Sequence, residues 1–87
     1  MITEAKMNNE VIEDAVSLLN ELREDATVPR NIKTKIEGIV KVLQEGTETS
    51  IKVNKALTEL EEVADDANLQ PYSRTQVWNV VSLLEKA

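Results

Sequence analysis

Eighty-seven residues without cysteine or histidine exclude disulfides, thiolate nucleophiles, cysteine metal sites and the side chain that most often acts as a base at neutral pH. A net charge of −6 opposes non-specific attachment to nucleic acid or to an anionic membrane, because neutralising phosphate needs a basic face. The apolar fraction of 41% is ordinary, but aromatics are 2%, so one thin core must be made from Leu, Ile, Val and Ala, and two Gly and two Pro leave few turns and hence long helices.

The chain reads as a single domain over 1–87. Residues 1–8 hold no apolar run fit for a signal peptide and are expected to be a flexible lead-in. The first helix is predicted over 9–26, where Val11, Ile12, Ala15, Val16, Leu18, Leu19 and Leu22 recur at spacings of three and four. Asn8 or Asn9 is placed to cap it, and Glu10 suits its first turn. Pro29 pushes Val28 out of the helical region and presets a second helix over 30–45, with the stripe Ile32, Ile36, Ile39, Val40 and Leu43. Gly38 lies in mid-helix, where it either admits a close neighbour or sits on a solvated face. Gly46 ends this helix, and Thr47 can cap a third over 47–67, with Val53, Ala56, Leu57, Leu60, Val63, Ala64 and Ala67. A fourth, over 72–86, carries Val77, Val80, Val81 and Leu84. It starts at Pro71 or, if Ser73 and Gln76 form a capping box, at Ser73.

Two stretches, "VPRNIK" from Val28 and "QPYSRT" from Gln70, have the same form. Displacing the chain by 41 residues pairs Ile12 with Val53, Leu19 with Leu60, Ile36 with Val77, Leu43 with Leu84 and Asp25 with Asp66. The prolines need one residue more, as a loop insertion would produce. The expected fold is therefore all-α: a four-helix up-and-down bundle made of two tandem helical hairpins. Amphipathic stripes that slide into register by themselves are the alternative explanation of the match. The segments 1–28, 29–46, 47–69 and 70–87 carry −5, +2, −4 and +1, which favours placing oppositely charged helices side by side.

Several residues invite a functional reading beside a plain one. Glu21, Glu24 and Asp25, and likewise Glu62, Asp65 and Asp66, crowd helix ends. A carboxylate metal site would need inward-facing acids and histidine, so a solvated face is the simpler reading and neither metal nor cofactor is expected. Arg74 and Trp78 share one side of the fourth helix, either as a platform for a ligand or as a half-buried indole with an arginine stacked on it. Val42 and Leu83 fall off their stripes at matching places, and with Arg74 and Trp78 they make the candidate contact surface. Pro29 and Pro71, with Asn31 and Ser73 two places later, read as structural turn signals. Asp25 and Asp66 are placed to meet Arg30 and Arg74.

"DATVPRNIK" and "NLQPYSRTQVWNVVSLLE" resemble segments of a small archaeal family, an uncharacterised protein family numbered zero-one-four-seven in its series. Arg74, Thr75, Trp78 and Ser82 lie in the most specific part. The resemblance implies an α-helical bundle of this length and no activity, so it carries over no catalytic residue.

No phosphate loop, nucleophile elbow or zinc spacing occurs, and no catalytic residue is named. The function expected is a non-enzymatic protein–protein interaction or assembly module in the cytoplasm, binding an unknown protein or a second copy of itself, with no membrane. The alternative is a nucleotide- or small-ligand-binding protein or enzyme using Arg74, Tyr72 and Trp78. Nucleic-acid binding through Arg30, Lys33, Lys35 and Lys41 is least favoured, given the net charge.

Overall fold

Aliphatic residues three and four apart give each segment one apolar stripe, and burying four such stripes against one another sets the architecture. The structure, a computed structural model, describes residues 2–86, with their side chains from Glu10 onward. It consists of α1 (Ile2–Arg23), α2 (Arg30–Leu43), α3 (Thr49–Ala64) and α4 (Pro71–Leu84), and no strand occurs among the described residues. The short connections make consecutive helices antiparallel. α1 packs on α2 and α4, and α3 packs on the same two, which is the up-and-down square expected.

Among the described residues the core is aliphatic apart from the buried Ser73. α1 contributes Ile12, Ala15, Leu19 and Leu22, α2 its whole predicted stripe, α3 Val53, Ala56, Leu60, Val63 and Ala64, and α4 Val77, Val80, Val81 and Leu84. Each fully buried Leu or Ile contributes about 1.5–3 kcal/mol. Val28 and Leu69 close the core from the two hairpin turns. Ion pairs then lie across the flanks, Arg23–Glu37 at 3.6 Å between α1 and α2 and Lys35–Glu62 at 4.0 Å between α2 and α3.

The helix limits differ from those predicted, for local reasons. α1 begins at Ile2 rather than near residue 9, because no Gly or Pro between Ile2 and Asn9 interrupts a run rich in helix formers; Asn8 and Asn9 lie inside the helix and do not cap it. Met1 lies outside the described residues. α1 and α3 end early because Asp25 and Asp66 capture the N–H two residues on: Thr27 N and Asn68 N each donate to the aspartate Oδ1 at 2.8 Å. The N-cap of α3 is Glu48, not Thr47, whose hydroxyl instead faces Glu45 at 3.4 Å. Gly38 has open space where a Cβ would stand, so it belongs to the solvated face.

Residues 41 apart occupy the same places in the two turns. From Glu21 to Arg30 and from Glu62 to Pro71 the backbone passes through the same succession of states. Val28 N donates to Asp25 O at 3.1 Å, and Leu69 N to Asp66 O at 3.2 Å. The loop insertion suggested by the prolines does not exist. Pro29 is the N-cap of α2 (φ −59°), while Gln70 is the N-cap of α4 (φ −62°) and Pro71 follows as its first residue. Both positions suit the fixed φ of proline, so the residue can move by one place without moving the backbone.

Neither Asn31 nor Ser73 caps a helix. Asn31 is exposed in the first turn of α2, and Ser73 occupies the place that Ile32 fills in the other hairpin, 1% exposed and with no partner for its hydroxyl. Leaving a hydroxyl buried and unbonded costs about 1–3 kcal/mol. Ser73→Ala should therefore raise stability by about 1 kcal/mol in urea denaturation; a clear loss would show that the hydroxyl has found a partner.

Candidate functional site

α4 carries Arg74, Trp78 and Leu83 of the candidate contact surface, while Val42 stands apart on α2. The first turn of α4 is fixed by Arg74, whose guanidinium reaches back to the end of α3. Nε donates to Ala64 O at 2.9 Å, and one terminal nitrogen donates to Asp66 O at 2.9 Å and Leu69 O at 3.2 Å. These carbonyls belong to a helix end and its turn, where intrahelical partners run out and the dipole favours a cation. Arg74 thus meets the backbone of Asp66 and not its carboxylate. The expected pairing of Asp25 with Arg30 does not form either: Asp25 Oδ1 accepts from Thr27 N at 2.8 Å and from the Thr27 hydroxyl at 2.7 Å. Those bonds, the hydroxyl foremost, hold the Asp25 carboxyl below its ordinary value of 3.8, and nearby Lys33 adds to the effect.

The residue matching Arg74 in the first hairpin is Lys33. Its backbone N–H bonds Pro29 O at 3.0 Å as that of Arg74 bonds Gln70 O at 2.9 Å. A lysine presents a point charge, whereas the arginine fork addresses several carbonyls at once, so only the second turn is stitched down.

Outside this anchor, α4 is uncharged. Between Pro71 and Leu84 the sole charged residue is Arg74, and it points inward. The outer face presents Tyr72, Thr75, Trp78, Asn79 and Ser82, all exposed. Tyr72 is 69% and Trp78 46% exposed, so both aromatics of the chain stand on the one helix face that lacks charge. The outer faces of the other helices are studded with Glu, Asp and Lys. Val42 and Leu83 are only partly exposed. Val42 lines a groove between α2 and α3 with Lys55, Thr58 and Glu59. Ile51, 47% exposed, stands alone on α3.

Two further grooves, open to solvent, are counterparts under the same displacement. One lies between α1 and α2 and includes Ile12, Glu13, Val16, Leu43 and Gln44; the other lies between α3 and α4 and includes Val53, Asn54, Leu57, Leu84 and Glu85. Neither contains Arg74 or Trp78. The basic residues of α2 are dispersed: Lys35 lies against Glu62 and Lys41 at 3.7 Å from Glu37. Among the described residues no cluster of acids is arranged to hold a metal, and no helix is long and apolar enough to cross a membrane.

The sequence model described as "Uncharacterised protein family (UPF0147)" matches residues 1–87. The chain belongs to this family. A UPF0147 protein of Methanocaldococcus jannaschii is 37% identical over 82 residues, covering 93% of this chain and 88% of that one. One from Saccharolobus solfataricus is 35% identical over 79 residues, covering 90% and 89%. A UPF0147 crystal structure from Thermoplasma acidophilum superposes with a TM-score of 0.86 at 28% identity, covering 93% of this chain and 96% of that one. The crystal structure of a protein of unknown function superposes at 0.84 with 32% identity over 91% of each chain. The four-helix square is thus the architecture of a solved UPF0147 protein as well.

Two outcomes follow for this UPF0147 chain. Arg74→Ala should lower stability by about 2–3 kcal/mol by chemical denaturation, because it leaves three carbonyls without their charged donor, while Lys33→Ala should change it by less than about 0.5 kcal/mol. Equal effects would remove the asymmetry between the turns. Asp25→Ala should be less stable than the wild type above about pH 4. The gap should narrow as the pH falls through the depressed value of the folded carboxyl, since a lowered pKa stabilises only while the group is ionised. A gap independent of pH would exclude a contribution from the charge.

Proposed function

We propose that the protein is a non-enzymatic interaction module that docks another protein on the outer face of α4. The observation that carries this reading is the uncharged helix face bearing Tyr72 and Trp78. Interface centres are depleted in charge and enriched in Trp and Tyr, and indoles recur among the residues that dominate binding energy. Carboxylates flank the face on both sides, Glu21 and Asp25 toward α1 and Glu85 toward α3. A neutral aromatic centre with an acidic rim suits a partner with an apolar spot inside a basic rim. It disfavours a second copy of a chain whose net charge is −6. As part of the same reading, the two hairpins are a tandem repeat whose second member is specialised for contact, and the module works in the cytoplasm.

The ligand-binding reading lacks support of this kind. The Arg74 guanidinium is engaged with carbonyls, and Tyr72 and Trp78 stand about 120° apart around α4, too far round for one small pocket. Nucleic-acid binding is weakened further by the ion pairs of Lys35 and Lys41.

Immobilised wild type, Tyr72→Ala, Trp78→Ala and Ile51→Ala should be compared for capture from a lysate of the source organism. A protein retained by the wild type and Ile51→Ala, and reduced at least tenfold by both aromatic substitutions, is the expected result. Capture indifferent to Tyr72 and Trp78, or retention of this chain alone with a dimer in sedimentation, would overturn the docking of a different protein on α4.

A further inference from the structure

The groove between α3 and α4 holds about 560 Å³ and includes Val53, Asn54, Leu57, Leu84 and Glu85. Its floor is already covered by the chain itself, since Val53 and Leu84 are buried, so the apolar surface it can still offer lies on its banks. One bank is Leu57 of α3, which packs only in part against the core. The other leads to Trp78 of α4. The indole follows Arg74 by four residues and so stands on the side of α4 that Arg74 turns toward α3, with 46% of the residue exposed. Glu61 and Asp65 follow Leu57 at steps of four, on the same side of α3, and both are exposed.

The counterpart groove between α1 and α2 has a different charge. Displaced by 41 residues, Trp78 becomes Glu37, Arg74 becomes Lys33, Asn54 becomes Glu13 and Glu61 becomes Asn20. Arg23 lies 3.6 Å from Glu37 across α1 and α2, and Lys52 is among the lining residues, so both signs are present there. Between α3 and α4 the banks carry Glu61, Asp65 and Glu85. Arg74 does not balance them, because its guanidinium is engaged with the carbonyls of Ala64, Asp66 and Leu69. The lysines of α3 lie on its other side, where Lys52 donates to Glu45 O and Lys55 lines a groove with Val42. An apolar centre with acidic banks is complementary to an apolar stripe with basic flanks.

We propose that the α3–α4 groove receives an amphipathic helix of the partner protein, its apolar stripe laid against Leu57 and Trp78 and its flanking lysines or arginines facing Glu61, Asp65 and Glu85. This rests on the reading of α4 as a docking face for a basic partner, and it adds the groove that is entered and the element that enters it. The two helices run side by side for about 20 Å, and a third helix settles between such a pair with its axis about 8–10 Å from each. An extended segment has no strand edge to join among the described residues. A second copy of the chain does not supply the required stripe, because its basic helix, α2, buries every apolar residue except the partly exposed Val42.

The probe is a short helical peptide of leucine and lysine, its leucines three and four apart, titrated into the isotope-labelled protein. A lysine–glycine peptide of equal length and charge serves as the control. With the first peptide, amide shifts should concentrate at Asn54, Leu57, Glu61 and Trp78, and binding should be at least fivefold tighter than that of the control. Glu61→Lys and Trp78→Ala, both at exposed positions, should each weaken it at least fivefold while keeping the wild-type circular dichroism. Glu13→Lys makes the same change of charge in the α1–α2 groove and should weaken it less than twofold. Equal effects of Glu13→Lys and Glu61→Lys, shifts shared by the two grooves, or equal binding of the control peptide would overturn the proposal, since each would mean attraction by net charge alone. The lysate experiment separates the two ideas. A captured protein lost in Tyr72→Ala and Trp78→Ala but retained in Glu61→Lys would sink the helix groove and leave the docking face standing. Localised peptide shifts without any capture dependent on Tyr72 and Trp78 would do the reverse.

Discussion

A core without a ring has to be filled by branched aliphatic side chains, and these fill space only when four stripes meet along one axis. Leu19, Ile36, Leu60 and Val77 are all fully buried, one from each helix, and no helix can rotate without withdrawing its own member. That constraint fixes which face of each helix is outside, and so which residues can meet another molecule. It also leaves the two aromatics on the surface, where each offers a large contact area at small conformational cost.

Against this common frame the hairpins differ in how their turns are held. Both use an aspartate to collect the N–H two residues on, and both tuck one aliphatic side chain beneath the turn. Only the second adds a guanidinium across the end of α3, joining it to the first turn of α4. The helix that presents Tyr72 and Trp78 is thus also the one whose first turn is bonded through a side chain to the end of its neighbour. A contact face on such a helix loses little conformational freedom when it is used, which favours binding through preorganisation.

Most of the architecture was legible because it follows from spacing alone. The stripes of α2 and α4 named from the sequence are the ones buried, and the alternating charge of the segments agrees with helices that pair as neighbours across the square. Helix starts were less legible. Asn8, Asn9, Thr47 and Ser73 have capping chemistry, but whether a residue caps depends on where the backbone leaves the helix, and a run without Gly or Pro lets α1 pass straight through Asn8 and Asn9. The partner of Arg74 was also hidden, since the sequence displays carboxylates while the three acceptors are carbonyls brought together by the curl of the turn. The neutral face of α4 was open to view in the composition of Pro71–Leu84. A search for apolar periodicity ranks the residues that are present and passes over charges that are missing.

The half-exposed indole of Trp78 has an optical consequence. It is the only tryptophan in the chain, so it alone supplies the red-edge fluorescence, and in the folded protein it already stands partly in water. Unfolding should move its emission maximum little, whereas covering α4 would transfer it to a drier and more rigid setting and shift it to the blue. The chromophore is thus badly placed to report whether the chain is folded and well placed to report whether its outer face is occupied.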